Sequence, residues 1–239
     1  MEVADGPGCT AKEIHGCDQR APLIEFHHAS FQRPLRLEQR GATSESFVQG
    51  TSSVLWPAAT KLATYLCDGD DGRPGAPGGR PWAALSVLEV GAGLGLVGAA
   101  CAALGAKVVL TDCGVAVPLL KRNQELLAAD SVNVEVCQLD WGSKSDESAI
   151  LKEHGQFELI VGSDIILSSF DLDKLFSSCY ALLARSPEAR LVLAFEFRED
   201  WEGISNFIGW AEEAQMEVQH QELGDPDDEI YLYIFRWIL

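Results

Sequence analysis

The sequence has little that would suggest a membrane protein or a disulfide-rich secreted protein. The longest weakly polar stretch, residues 87–112, contains Glu89, Lys107 and several glycines, which make it a poor membrane-spanning segment. The first twenty residues contain no apolar run, so we expect no secretory signal. The seven cysteines form no Cys-x-x-Cys pair, and several lie in apolar runs, which argues for reduced thiols inside the cell. We therefore expect a cytoplasmic protein, with the nucleus as an alternative, and no membrane partner.

Signatures of hydrolytic and metal chemistry are also absent. No Gly-x-Ser-x-Gly elbow occurs, and no cysteine has an evident basic activator. The five histidines are scattered without metal-ligand spacing, so we expect no metal cofactor. Basic residues are few, with 18 Lys and Arg against 36 Asp and Glu, a net charge of −18 at pH 7. Such a chain repels nucleic acid, so we expect no nucleic-acid partner. The acidity would attract a basic protein or peptide; the alternative is that it only keeps the protein soluble.

The order of apolar segments predicts the fold class. From Leu85 onward, strand-like and helix-like segments alternate, which is typical of a parallel sheet covered by helices on both faces. The last two predicted strands, EVQHQEL and EIYLYIFRWIL, are joined by the short turn GDPDD, so they should pair antiparallel. We predict an α/β protein with a doubly wound, mostly parallel seven-stranded Rossmann-like sheet that ends in an antiparallel hairpin. We also expect a monomer.

The beginning of the chain is less regular. Residues 1–50 are predicted to form an N-terminal extension, partly mobile, before the main domain at 51–239. Within the extension, LIEF (23–26) and LRLEQ (35–39) have the pattern of a small β-hairpin packed on that domain.

Two further segments precede the regular part. Residues 52–66 have helical periodicity with a serine at the start, and Pro57 is tolerable in the first turn. Residues 68–80 are rich in Gly, Pro and Asp, which predicts a flexible loop.

The glycine cluster in VLEVGAGLGLVG predicts a nucleotide site. Read from Gly93, GLGLVG satisfies the dinucleotide fingerprint, whereas read from Gly91 the segment has the pattern of S-adenosylmethionine (SAM) methyltransferases. The preceding strand ends at Val90, which makes Gly91 the first glycine of the turn and favours the second interpretation. A carboxylate at Glu89 would repel a pyrophosphate but would suit a cofactor that carries an ammonium and a sulfonium. Asp112 can accept hydrogen bonds from ribose hydroxyls in either case.

Several separated motifs resemble one family. They are VLWPAA around Trp56, the glycine cluster, VVLTD, QLDWG (138–142), VGSDII (161–166) and EIYLYIFRW. In this order and spacing, residues 48–239 resemble the class I, non-SET seven-β-strand protein-lysine methyltransferases of the METTL21-like type (methyltransferase family 16).

The resemblance implies a set of cofactor contacts. With Glu89 and Asp140 added from the residue chemistry, the predicted SAM-binding residues are Trp56, Glu89, Gly91, Ala92, Gly93, Asp112, Asp140, Trp141 and Ser163. The Trp141 ring would sandwich the adenine, and Asp140 would accept a hydrogen bond from the adenine amino group. Both residues lie at the sheet edge where open α/β folds bind ligands. Alternatively, Trp141 and Trp56 are ordinary core residues.

The segment after the fourth strand departs from the family. The family pattern Asp-x-x-Tyr is here Asp164-Ile165-Ile166-Leu167, so the acid is present and the aromatic residue is not. Asp164 is the predicted catalytic residue, which would orient the incoming amine, although it could instead contact only the cofactor or a helix N-terminus. In FEFRED (195–200), Glu196 and Arg198 could belong to a substrate mouth or form a simple ion pair.

The predicted activity is transfer of a methyl group from SAM to a lysine of a non-histone protein, with S-adenosylhomocysteine as the other product. The resemblance implies a chaperone, an ATPase or a translation factor as the substrate. Because Leu167 replaces the family tyrosine, an alternative methyl acceptor is a small molecule or another protein residue. A third hypothesis is a non-catalytic SAM-binding interaction module.

Overall fold

The computed structural model describes residues 19–40, 51–69, 79–198 and 201–238. Nine strands lie in this part of the chain: β1 (Leu23–Phe26), β2 (Leu35–Glu38), β3 (Ser86–Val90), β4 (Lys107–Asp112), β5 (Glu135–Gln138), β6 (Leu159–Ser163), β7 (Arg190–Glu196), β8 (Met216–Glu222) and β9 (Ile230–Trp237). The α-helices whose full extent is described are α1 (Pro57–Asp68), α2 (Leu96–Ala103), α3 (Val117–Ala129), α4 (Lys144–His154), α5 (Leu172–Leu182) and α6 (Trp201–Glu213). None of the helices in these ranges is long and apolar enough to cross a membrane.

The main sheet has seven strands in the order β5-β4-β3-β6-β7-β9-β8. The strands from β5 to β7 are parallel, and β9 pairs antiparallel with both β7 and β8. The predicted seven-stranded, mostly parallel sheet with an antiparallel C-terminal hairpin is thus confirmed. The predicted N-terminal hairpin is confirmed as well, since β1 and β2 pair antiparallel as a separate two-stranded sheet.

Alternate residues of each central strand enter two hydrophobic layers. In β3, Val87 packs in the layer beneath α1, α2 and α3, whereas Leu88 packs in the layer beneath α4, α5 and α6, and both are fully buried. This alternation follows from the two-residue period of a strand and accounts for the continuous apolar runs in the sequence. The strand order reverses between β3 and β6, and this is where open α/β sheets bind ligands at their carboxyl edge.

The helices differ from the prediction in two places. The helix predicted to begin at Ser52 begins at Pro57, and Trp56 before it is extended, with φ −103° and ψ 148°. The physical reason is that proline disfavours the helical conformation in the residue that precedes it. Helix α4 was not predicted, because Glu147 and Ile150 are its only buried residues and it shows almost no apolar periodicity.

Some of the other predictions concern residues outside the described ranges. Most of the predicted flexible loop at 68–80 lies there, although Asp68 is the last residue of α1. The polar N-terminal segment lies there too, up to residue 18. The cysteines in the described ranges, at 67, 101, 113, 137 and 179, are all free thiols, as predicted.

Candidate active site

A cavity of about 750 Å³ opens at the carboxyl edge of the sheet. All predicted site residues except Glu89 line it: Trp56, Gly91, Ala92, Gly93, Asp112, Asp140, Trp141, Ser163 and Asp164. These residues lie at or just after the carboxyl ends of four strands, or just before α1, so the parallel topology brings them together from distant parts of the chain. The volume lies in the range of small-molecule and cofactor sites.

The glycine turn between β3 and α2 forms the floor of the cavity. Gly91 has φ +60° and Gly93 has φ +54°, in the left-handed region that glycine adopts without strain. A Cβ on Gly91 would lie 2.7 Å from Ile165 Cγ2 and 3.3 Å from Trp141 Cζ2. The first glycine of the motif is therefore required both by its backbone conformation and by the closeness of its neighbours.

Asp112 ends β4 and connects that strand with the glycine turn. Its Oδ2 accepts a hydrogen bond from the Gly93 N–H at 2.7 Å, and its Oδ1 accepts from the Cys113 N–H at 2.8 Å. Burial raises the pKa of Asp112, and these two N–H donors act against that rise. A carboxylate oxygen can accept a second hydrogen bond, so the held carboxylate keeps acceptor capacity for a ribose diol.

An aromatic slot lies beside Asp112. The Leu139 N–H donates to the Asp112 carbonyl at 2.9 Å, which brings the segment after β5 against the end of β4. Trp141 then lines the cavity and meets Phe170 edge-on, with ring centroids 5.9 Å apart. Asp140 accepts from Gln138 Nε2 at 2.6 Å. The slot therefore combines an aromatic face with an adjacent carboxylate, a combination that can hold an adenine ring.

Glu89 lies behind the glycine turn and not in the cavity wall. It is 1% exposed, and its Oε2 accepts from the Gly98 N–H at 2.7 Å, in the first turn of α2. Burial raises its pKa to about 8, while the Gly98 N–H acts in the opposite direction. The prediction of a direct, charged contact with the cofactor does not fit this position. The side chain instead caps the helix and fixes the turn from below, where a neutral acid cannot discriminate against a pyrophosphate.

Asp164 is held by other protein groups. It has φ +54°, its side chain is 3% exposed, and its Oδ1 accepts from the Glu196 N–H at 3.0 Å and from Arg198 Nη1 at 3.1 Å. Burial raises the pKa of Asp164. Arg198, the Glu196 N–H and the Ala58 N–H at the start of α1 act against that rise. Asp164 therefore lines the cavity with its carboxylate held by Arg198 and the Glu196 N–H, and its role in orienting the amine stays a prediction.

Arg198 forms one wall of the cavity mouth. Its Nη2 is 3.0 Å from Glu196 Oε2, and its guanidinium lies 5.4 Å from the centroid of the Trp56 ring. The Glu196–Arg198 ion pair is therefore present and Arg198 lines the cavity, whereas a role of the pair in substrate entry stays a prediction. Leu167 also lines the cavity, at the position where the family has tyrosine.

Sequence analysis missed part of the wall. Phe170, Asp171 and Lys174 follow β6, and Lys174 Nζ lies 2.6 Å from Asp171 Oδ2. Their position after a parallel strand was a usable signal, although nothing in the sequence indicated how the loop folds. Thr51 and Ser52 also line the cavity, because residues 52–56 form a turn and extended backbone in place of the predicted helix.

One group of metal-ligating residue types exists in the described ranges, at Glu135, Glu153 and His154. None of these residues lines the cavity.

Comparisons with known proteins identify relatives of this chain. A lysine methyltransferase family model matches residues 37–214. The mouse protein N-lysine methyltransferase METTL21A is 29% identical over 214 residues, which cover 89% of this chain and 86% of that protein. The mouse histone-arginine methyltransferase METTL23 is 30% identical over 149 residues, which cover 62% of this chain and 54% of that protein.

The fold is shared with solved methyltransferases. The SAM-dependent methyltransferase from Agrobacterium tumefaciens superposes with a TM-score of 0.55 at 17% identity, over 91% of this chain and 70% of its own. The sheet, the cavity at its carboxyl edge and a family model that matches well over half of the residues lead to one conclusion: this chain belongs to the lysine methyltransferase family.

Proposed function

We propose that this protein transfers a methyl group from SAM to a lysine side chain of a non-histone protein. The observation that carries the proposal is a single cavity in which the glycine turn, Asp112 and the Trp141 slot continue into the Asp164–Arg198 mouth. A cofactor bound along the first part would leave its reactive end facing the second.

The residues present fit SAM on structural grounds. Any Cβ at position 91 would fill the space above the glycine turn, so this space is available to a ligand. The Asp112 carboxylate can still accept hydrogen bonds from the two hydroxyls of a ribose. Trp141 and Asp140 would hold the adenine, while Gly91, Ala92, Gly93 and Ser163 would line the amino-acid part. When bound, SAM supplies a methyl group activated by its sulfonium.

The acceptor lysine must reach the cavity as a neutral amine. With an ordinary pKa of about 10.4, its deprotonation at pH 7 costs roughly 4–5 kcal/mol. Burial in the cavity and the positive charge of bound SAM would favour the neutral form of the amine, while Arg198 stays paired with Asp164 and Glu196. Asp164, held by Arg198 and the Glu196 N–H, would orient the amine and accept its departing proton, directly or through water.

Lysine is favoured over arginine as the acceptor. The family model is that of lysine methyltransferases, and the lysine-modifying relative aligns with 89% of this chain, against 62% for the histone-arginine relative. We further propose that a chaperone, an ATPase or a translation factor is the substrate, and that the protein acts as a monomer in the cytoplasm or nucleus.

The test is incubation of the protein with methyl-labelled SAM and a cell extract, followed by acid hydrolysis and separation of the methylated amino acids. The proposal expects labelled protein bands that yield methyl-lysine, and no label when Gly91→Ala replaces the wild type. Label found only as methyl-arginine, only on histones or only in small molecules would contradict it. Binding of SAM without any transfer would support the interaction-module alternative.

A further inference from the structure

Three aromatic side chains form a cluster beside the cavity mouth, in which Trp201 is exposed and Phe197 and Tyr231 are half-buried. In this aromatic platform, defined as Phe197, Trp201 and Tyr231, the Phe197 and Trp201 ring centroids are 4.1 Å apart, and Tyr231 lies 6.3 Å and 6.1 Å from them. Trp201 is 52% exposed, the largest side chain among the exposed hydrophobic residues of the described ranges. Because the rings pack on one another, they leave no open cage between them and present a surface instead.

The topology places this platform next to the mouth. Phe197 lies between Glu196, the last residue of β7, and Arg198, which lines the cavity. The Phe197 N–H donates to the Glu229 carbonyl at 2.8 Å, which joins the platform to the turn between β8 and β9. The platform residues do not line the cavity themselves, but a chain segment whose side chain enters the cavity past Arg198 would run close to Phe197.

The surroundings of the platform are acidic. Asp225, Asp227 and Glu229 are exposed in the adjoining turn, and the whole chain has a net charge of −18. At the mouth, Arg198 pairs with both Asp164 and Glu196, so one cation faces two carboxylates. The platform thus combines the exposed Trp201 ring with excess negative charge, the combination that attracts a cationic side chain.

We propose that the aromatic platform docks an arginine or lysine that flanks the target lysine in the protein substrate. Its guanidinium or ammonium stacks on the face of Trp201, and the acidic turn completes the charge pairing. This inference rests on the proposed function, since the flanking position has meaning only when a lysine enters the cavity.

The experiment measures binding of a fluorescein-labelled peptide with one central lysine and arginine flanks to the full chain, in the presence of S-adenosylhomocysteine. We expect Trp201→Ala to weaken binding about tenfold, which corresponds to about 1.4 kcal/mol, and Trp201→Phe to restore most of it. The matched control is Tyr180→Ala, another exposed aromatic side chain, which packs on Trp237 at the opposite edge of the sheet and should leave binding unchanged.

A second pair of variants separates local charge from total charge. Asp225→Lys with Asp227→Lys should weaken binding, whereas Glu188→Lys with Glu213→Lys changes the net charge equally at the opposite edge and should have little effect. This pair also provides a readout if Trp201→Ala does not fold.

Three results would overturn the inference. They are equal affinity of wild type and Trp201→Ala, equal binding of a peptide with glutamate flanks, and self-association of the wild type that Trp201→Ala abolishes. Failure of the proposed function would look different: S-adenosylhomocysteine would give no thermal stabilisation, or no lysine would be labelled, whatever the peptide affinities.

Discussion

Glu89 provides the sharpest test of how the glycine turn is built. Burial raises its pKa to about 8 in the folded protein, from an ordinary value of 4.5. Because the folded-state pKa is the higher one, the folded protein binds this proton more tightly than the unfolded chain does. The resulting stabilisation is fully present below about pH 4.5 and is lost as the pH rises through about 8.

The substitution Glu89→Gln should remove this pH dependence. Glutamine keeps the side-chain size and an oxygen that accepts from the Gly98 N–H, but it carries no titrating proton. Between pH 6 and pH 9, the pH range over which the stabilisation falls extends from pH 6 to the folded-state pKa of about 8, which is about two pH units. At about 1.4 kcal/mol per unit, the wild type should lose about 3 kcal/mol of unfolding free energy. The variant should not show this loss.

The assay is urea unfolding followed by tryptophan fluorescence at pH 6 and pH 9. The stability of Glu89→Gln relative to wild type should rise by about 3 kcal/mol between the two pH values, while its affinity for S-adenosylhomocysteine stays close to that of wild type. Glu147→Gln is the control, because the Glu147 carboxylate is also buried but accepts hydrogen bonds from Lys144 Nζ and Ser178 Oγ. Parallel pH dependences of wild type and Glu89→Gln would refute the reasoning. A loss of cofactor affinity without any change in pH dependence would return Glu89 to the role of a charged cofactor contact.

Three further variants test the cavity wall. Gly91→Ala adds a Cβ 2.7 Å from a neighbouring side chain, so it should weaken S-adenosylhomocysteine binding at least tenfold, as measured by calorimetry. The control is Gly155→Ala, at a glycine with φ +75° whose Cβ position is open space. This control should lower the free energy of unfolding by about 1–2 kcal/mol and leave binding unchanged. Asp112→Ala removes the acceptor for the ribose and for the turn and should cost about 1–3 kcal/mol of binding free energy, so full affinity would exclude that contact. Arg198→Met removes the cation that opposes the raised pKa of Asp164, so the acid limb of the pH–rate profile should move to higher pH; an unmoved limb would mean that Asp164 does not titrate in the reaction.

The parts of the fold that could be predicted are those fixed by local periodicity. The strand–turn–helix–strand unit around Gly91 was predictable because apolar runs, glycines and a terminal Asp112 each have a local cause. Helix α4 was not, because a helix that buries only Glu147 and Ile150 leaves little periodic signal. The start of α1 could have been placed correctly from Pro57 alone, since the residue before a proline avoids the helical conformation.

The candidate site was predictable by position more than by role. Parallel topology brings strand ends to one edge, so residues such as Trp141 and Ser163 could be placed in the cavity before the structure was known. The direction of the Glu89 side chain follows from the two-residue period of a strand: Glu89 shares a face with Val87, beneath α2 and outside the cavity wall. The Arg198–Asp164 pair joins residues 34 positions apart, and no local pattern predicts such a contact.

The most direct test of the account is calorimetric titration of the wild-type protein with S-adenosylhomocysteine and, separately, with NAD. The account predicts one equivalent of S-adenosylhomocysteine bound, a large loss of that binding in Gly91→Ala, and no heat from NAD. Stoichiometric binding of NAD that depends on Gly91, with none for S-adenosylhomocysteine, would contradict it.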